Sequence, residues 1–320
     1  MITVLAGGVG AARFLRALLL VAPASDVTAV VNTADDTVLH GLSISPDIDT
    51  VTYTLAGAID PGRGWGLRDE TWRAMAALGR FVDVRPAGSS AAPTWFNLGD
   101  QDLATHFYRT ARLAEGATLT EVTAEIGRAF GLDLTLLPMT NDRVSTRVTV
   151  AEGEIGFQEY FVQRQHAVPV SSIRFEGVDM ALLTDAARSA LESADAVVVA
   201  PSNPLVSIGP LRALAGVDAL LGRRRDTVAA VSPIVGGAAL KGPADRMLVE
   251  LGHEPTVVGI AHLYAPIASS LIIDPVDSHL ADRVEAAGMR PVIVPSIMSS
   301  DEASATLARA TLAAAGHRLP

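Results

Sequence analysis

The chain begins with a short, mostly apolar run, residues 2–6 (ITVLA), that stops at a glycine pair. Helical spacing follows, with Phe14, Leu15, Leu18, Leu19 and Val21 recurring on one side, and then a second apolar run at 26–32 (DVTAVVN). Neither run alternates with polar residues, so each reads as a strand covered on both faces. Strand, turn, helix, strand is a βαβ unit, and it predicts a parallel sheet.

The same grammar returns in the second half. Residues 194–201 (ADAVVVAP), 227–233 (TVAAVSP), 255–260 (PTVVGI), 270–274 (SLIID) and 291–295 (PVIVP) are predicted strands. Helical patterns at about 184–193, 243–251, 279–287 and 301–315 separate them. Strands at this spacing suit an α/β fold with a doubly wound, mostly parallel, Rossmann-like sheet. The middle differs: residues 66–131 read as largely helical, and Thr118 with Glu121 forms a capping box. The expected organisation is a nucleotide-binding core of residues 1–65 and 132–320, with 66–131 as a helical insertion or subdomain. A small-residue loop at 85–95 interrupts that insertion.

Composition narrows the function classes. A chain of 320 residues with 49% hydrophobic content buries a core without staples. It contains no cysteine, which excludes disulfides, thiolate metal sites and a cysteine nucleophile. The net charge of −10 and the lack of a basic run beyond residues 222–226 (GRRRD) argue against bulk nucleic-acid binding. No apolar run reaches the ~18–20 residues that span a bilayer. A cytoplasmic protein is expected, without membrane or nucleic-acid partners. Lys241 is the sole lysine, so any compact ammonium charge in a site comes from there.

Two neighbouring stretches carry the candidate chemistry. AGGVGAARF places Gly7, Gly8 and Gly10 between the first strand and its helix, with Arg13 beyond. Such a loop is either a tight strand-to-helix turn or an anion cradle, in which backbone N–H groups and the helix N-terminus meet a phosphate. Four aspartates then fall within fifteen positions: Asp35, Asp36, Asp47 and Asp49, followed by Asp60. Carboxylates beside a phosphate repel it unless a hard cation such as Mg²⁺ lies between them. Several of them also suit turns and helix caps. Ser202 and Asn203 in APSNP, after the strand at 194–201, either face a ligand or form a turn. The isolated histidines, His40, His106, His262 and His279, show no zinc-pair spacing and are read as structural.

Several segments, in order, carry a resemblance: LAGGVGAARF, VVNTADD, HGLSISPDIDTVTYTLAG, GWGLRDETW, WFNLGDQDLATH, LLPMTNDRVSTRV, GEIGFQEYFV, APSNPLVSIGP and SPIVGGAALKGPADRM. Over essentially the whole chain they resemble the phospholactate transferase family of coenzyme F-420 biosynthesis. The resemblance implies transfer of a phospho-acid from a guanosine diphosphate conjugate to the terminal ribityl hydroxyl of the deazaflavin Fo, releasing GMP. The donor acid is lactate in archaeal relatives and enolpyruvate in actinobacterial ones, and the arginine- and alanine-rich composition favours the latter.

It also implies Mg²⁺, with Asp49 and Asp36 as catalytic and metal-binding candidates. Gly7, Gly8, Gly10, Arg13, Ser202, Asn203 and Lys241 fall to the guanylate donor. Asp49, Asn97 and Asp100 fall to the deazaflavin. A homodimer is the expected assembly for such a fold. Two departures stand out: Ala11 replaces a further glycine of the loop, and no tryptophan follows the aspartate pair. Two other readings remain open at this point. One is a non-enzymatic regulator that binds a nucleotide sugar; the other is an NAD-dependent oxidoreductase, which the missing third glycine disfavours.

Overall fold

The computed structural model describes residues 1–89 and 91–318. Strand β1 (Ile2–Ala6) leads into helix α1 (Gly8–Leu18) and returns in β2 (Val27–Val31). A small hairpin, β3 (Thr37–Leu39) and β4 (Leu42–Ile44), precedes α2 (Pro46–Leu55). Three helices follow: α3 (Arg73–Leu78), α4 (Asp100–Ala114) and α5 (Leu119–Ala129). The chain re-enters the main sheet at β5 (Thr135–Pro138). Strands β6 (Ser145–Val150), β7 (Gly153–Gly156) and β8 (Ser172–Glu176) make a separate antiparallel sheet.

The second half runs α6 (Asp185–Ser193), β9 (Ala196–Val199), α7 (Gly209–Ala213), α8 (Val217–Arg223) and β10 (Val228–Val231). A short hairpin, β11 (Ile234–Val235) and β12 (Ala238–Ala239), leads to α9 (Ala244–Glu250) and α10 (Val257–Tyr264). Strand β13 (Ser270–Ile273), α11 (Ala281–Ala286), β14 (Arg290–Ile293) and α12 (Asp301–Ala314) complete it.

The main sheet has seven strands in the order β14-β13-β10-β9-β1-β2-β5, and every pairing is parallel. Each residue of β1, β2, β9, β10 and β13 is buried, which is why these runs carry no polar alternation. One face is covered by α1 and α12, where Phe14, Leu15, Leu18, Leu307 and Leu312 pack on Val4, Ala29 and Val198. On the other face, Leu191, Leu211, Leu221, Ile260 and Val284 from α6, α7, α8, α10 and α11 pack on Leu5, Val30, Val199 and Ala230. A large apolar side chain fully buried in this way contributes roughly 1.5–3 kcal/mol.

The doubly wound fold thus stands as the sequence pattern predicts, with two corrections. Residues 255–260, expected as a strand, open α10 instead, with the Thr256 side chain accepting the Val258 N–H at 3.2 Å as its cap. A short β-branched run does not separate strand from buried helix; the threonine cap and the apolar positions running on to Tyr264 decide for the helix. The middle segment is also less helical than its pattern implies. Apart from a single 3₁₀ turn at Gly79–Phe81, the described residues between α3 and α4 are irregular. The capping box at the head of α5 is present, with Glu121 N–H bonded to Thr118 and Glu121 returning to Thr118 N–H at 2.8 Å.

The order of strand addition reverses between β1 and β9, because β1 is followed on one side by β2 and flanked on the other by a parallel strand some 190 residues later. Crevices at the carboxyl ends of strands beside such a switch point are where open α/β sheets bind ligands.

Candidate active site

The glycine loop and the 200–207 segment meet at that switch point. Gly7 is extended, and a Cβ there would come within 2.7 Å of the Ser207 Cβ. Gly8 takes the left-handed conformation at φ +67° that opens α1. A Cβ on Gly10 would run into the Pro201 carbonyl, so the two loops approach closely only because it is glycine. Ser202 is buried, and its hydroxyl donates to the Gly7 carbonyl at 2.7 Å. Asn203 accepts the Leu205 N–H at 2.9 Å through its side chain, in the turn that starts this loop. Both residues brace the crevice wall. Arg13 lies on the exposed side of α1. Lys241 is exposed and reaches across from beyond β12, with its Nζ 3.0 Å from the position a Cβ on Gly64 would take.

The aspartates lie against this loop. Two helix N-termini converge here, and each favours negative charge. Asp47, in the first turn of α2, takes the Gly8 N–H at the head of α1 and accepts Asn32 Nδ2 at 2.9 Å. A phosphate in the cradle would thus share its donors with a carboxylate. Burial pushes the Asp47 pKa up to about 6, against the pull of those two hydrogen bonds. Asp35 is raised well above the usual carboxylate range, first by burial and then by repulsion from Asp47. Asp36 is raised likewise, first by burial, with Asp49 and Asp47 adding to it and the Ser45 hydrogen bond at 2.7 Å opposing.

One oxygen of Asp35 and one of Asp36 are buried with no hydrogen-bond partner. Orphaned carboxylate oxygens in a mutually repelling group are what a hard divalent cation satisfies, so Asp35 and Asp36 have the donor chemistry for such an ion.

Asp49 differs from its neighbours because it has an internal cation. Arg109, fully buried on α4, forks over both Asp49 oxygens, Nη1 to Oδ2 at 3.1 Å and Nη2 to Oδ1. The Arg109 pKa is raised despite the opposing effect of burial, with the Asp49 charge as the principal cause. Beside it, His106 Nδ1 lies 3.2 Å from Arg109 Nη1, and His106 Nε2 lies 3.3 Å from Asp102 Oδ1. Tyr53 on α2 donates its hydroxyl to the same Asp102 oxygen at 2.7 Å. Burial raises the Asp102 pKa, but the His106 and Tyr53 hydrogen bonds outweigh it and leave the pKa lowered. Asp49, Asp102 and His106 offer ligand atoms within 4.8 Å of one another, the one group of three such residues among the described residues able to hold a metal ion; it includes Asp49 but not Asp36. An ion there competes with the Arg109 guanidinium for Asp49.

Sequence reading missed Tyr53, Asp102, His106 and Arg109. The available signal was spacing: 102, 106 and 109 follow the i, i+4, i+7 stripe of one helix face, so His106 was never isolated. Of the residues assigned to the acceptor, Asn97 is exposed ahead of α4. Asp100 is the exposed first residue of that helix, accepting the Thr71 N–H at 2.6 Å. Neither touches the buried network.

Comparison with known proteins bears on this geometry. Residues 2–311 match the family described as 2-phospho-L-lactate transferase CofD. The chain is 40% identical over 316 residues to the phosphoenolpyruvate transferase of Streptomyces griseus, covering 97% of each chain. It is 39% identical over 320 residues to that of Kitasatospora aureofaciens, covering 98% of this chain and 97% of the relative. The phosphoenolpyruvate transferase of Mycolicibacterium smegmatis is 38% identical over 330 residues, covering 98% of each. The fold matches a crystal structure of a Bacillus halodurans protein with a TM-score of 0.62 at 14% identity, covering 97% of this chain and 98% of that one. A buried acidic group against a glycine loop, at the switch point of this sheet, therefore sits in a chain that belongs to the 2-phospho-L-lactate transferase CofD family of transferases.

Proposed function

We propose that this transferase moves a phosphoenolpyruvyl group, with 2-phospholactyl as the alternative, from a guanosine diphosphate conjugate to the terminal ribityl hydroxyl of the deazaflavin Fo, releasing GMP. The observation that carries the reading is the buried group of Asp35, Asp36, Asp47 and Asp49 set against the glycine loop. A primary alcohol is a weak nucleophile, and transfer from a diphosphate depends on alignment and on stabilising charge. The 38–40% identity to phosphoenolpyruvate transferases favours enolpyruvate as the donor acid.

In this reading the loop at Gly7, Gly8 and Gly10, braced by Ser202 and Asn203, receives the diphosphate of the donor. Lys241 closes over its far side. Asp36, with Asp35 and Asp47 beside it, holds Mg²⁺, which when bound neutralises charge on the diphosphate. Asp49, oriented by the Arg109 fork, accepts the hydrogen bond of the acceptor hydroxyl. A cavity of about 740 Å³ between α2, α4 and α5, lined in part by Leu67, Arg68, Gln101, Tyr108 and Phe130, suits the planar acceptor ring. Its apolar and aromatic walls carry a few polar groups, and it shares helix α4 with the Asp102–His106–Arg109 face.

Fo binding, followed by deazaflavin fluorescence with GDP and Mg²⁺ present or absent, tests the proposal. Affinity that depends on GDP and Mg²⁺, and is lost in Asp49→Asn, is the expected result. Absence of Fo binding under every condition overturns it.

A further inference from the structure

Helix α4 holds three of the four residues around Asp49, so whatever fixes its position fixes the site. The helix is anchored at its amino end by residues just before α3. Glu70 is buried, with its side chain fully shielded from solvent. Its Oε1 accepts the Leu67 N–H at 3.1 Å and Arg63 Nη2 at 3.0 Å. Arg63 in turn lies against two indoles, 5.4 Å from the Trp65 ring and 5.0 Å from that of Trp72, and pairs with Asp60 at 3.1 Å.

The other oxygen, Oε2, is buried and lies against Gly99, the residue that caps α4, where the carboxylate faces the Asp102 N–H of the helix's first turn. Next to it Thr71 and Asp100 bond reciprocally: Asp100 N–H to the Thr71 carbonyl at 3.0 Å, and Thr71 N–H to the Asp100 carboxylate at 2.6 Å.

Gly99 is the telling position. Its backbone, φ −73° and ψ 160°, is one any residue adopts, so its conformation does not require glycine. A Cβ there would collide with the Glu70 carboxyl group. The glycine makes room for the carboxylate, and the carboxylate sets how closely the 60–72 segment seats on α4.

We propose that Glu70 is a positioning residue for the transfer reaction: it locks the amino end of α4 so that Asp102, His106 and Arg109 hold Asp49 in its working orientation. The inference rests on the reading of Asp49 given above. Glu70 itself touches neither substrate nor Asp49. A displacement of about 1 Å in a group that aligns reactants lowers turnover by up to about a hundredfold, while ground-state binding changes far less.

Four variants test it in the full chain: Glu70→Ala, Glu70→Gln, Gly99→Ala and the double Glu70→Ala/Gly99→Ala. Turnover is measured with Fo and guanosine-diphosphate-linked phosphoenolpyruvate. Hydrogen exchange of the α4 amides is measured beside that of α12, which packs elsewhere on the sheet. Glu70→Ala and Gly99→Ala should each lower kcat by about tenfold or more, with KM values within about threefold of the parent. Both should speed exchange in α4 and leave α12 unchanged. Glu70→Gln should keep most of kcat, and the double variant should be no worse than Glu70→Ala alone, because without the carboxylate the added Cβ has nothing to displace.

Unchanged kcat and α4 exchange in Glu70→Ala overturns the proposal. So do fully additive losses in the double variant, or loosening of α12 to the same degree. Where Glu70→Ala does not fold, Gly99→Ala carries the test with the carboxylate retained. A parent protein that transfers neither donor acid refutes the functional reading, and α4 exchange still decides whether Glu70 locks the helix.

Discussion

Replacing Arg109 with methionine keeps a long side chain in place but removes the charge that neutralises Asp49. Both residues are buried, Arg109 at 1% exposure and Asp49 at 5%, so water does little to screen the loss. Breaking a buried ion pair by deleting one partner costs about 3–5 kcal/mol, because the remaining charge is stranded. Against domain stabilities of about 5–15 kcal/mol that loss is a large fraction of the whole, so the variant is clearly weakened. With an unfolding entropy of about 2.1 cal/mol/K per residue over 320 residues, the penalty corresponds to a fall in Tm of roughly 4–8 °C.

The companion variant Arg109→Met/Asp49→Asn has no stranded carboxylate. It should recover about 2 kcal/mol of the loss and melt above Arg109→Met alone. Thermal unfolding by circular dichroism, without divalent cations, reads the parent, Arg109→Met, Asp49→Asn and the double variant. A change below about 1 °C in Arg109→Met refutes the reasoning, as does a double variant whose loss equals the sum of the singles.

Two further outcomes follow from the crevice. Gly10→Ala forces a Cβ onto the Pro201 carbonyl and should cost about 1–3 kcal/mol, read as a lowered urea midpoint; a midpoint unchanged from the parent refutes the close approach. Mg²⁺ at about a hundred times its Kd should stabilise the protein by about 2.7 kcal/mol in the same assay. Asp36→Asn should remove most of that gain, and a full gain in the variant would move the ion away from the orphaned oxygens.

The fold was legible where burial is complete. Runs such as ITVLA and AVVV carry no polar alternation because both faces of β1 and β9 are covered, so pattern alone identifies them. Residues 255–260 misled because a β-branched run of that length is equally at home in a buried helix, and the Thr256 cap and the apolar positions beyond residue 260 separate the two. The antiparallel sheet of β6, β7 and β8 stayed hidden, since its flanking strands β7 and β8 lack any fully buried residue.

The site was half legible. Asp36 and Asp49 stand out as a local cluster beside a glycine loop. Arg109 does not, because it lies 60 positions from the carboxylate it neutralises and nothing local marks the pairing. The wall formed by Ser202 was visible as a polar island, yet its bond to Gly7 spans 195 positions.

The placement of β1 has a consequence in time. It is made shortly before β2, which follows soon enough to cover one of its edges. Its other edge waits for β9, some 190 residues later. At about 5–20 residues per second, the ribosome takes roughly 10–40 s to supply that partner. For this interval a strand destined for the middle of the sheet is an open, apolar edge, a template for pairing with any other chain. The crevice therefore matures late: its glycine-loop half stays unfinished until the loop after β9 arrives to close it.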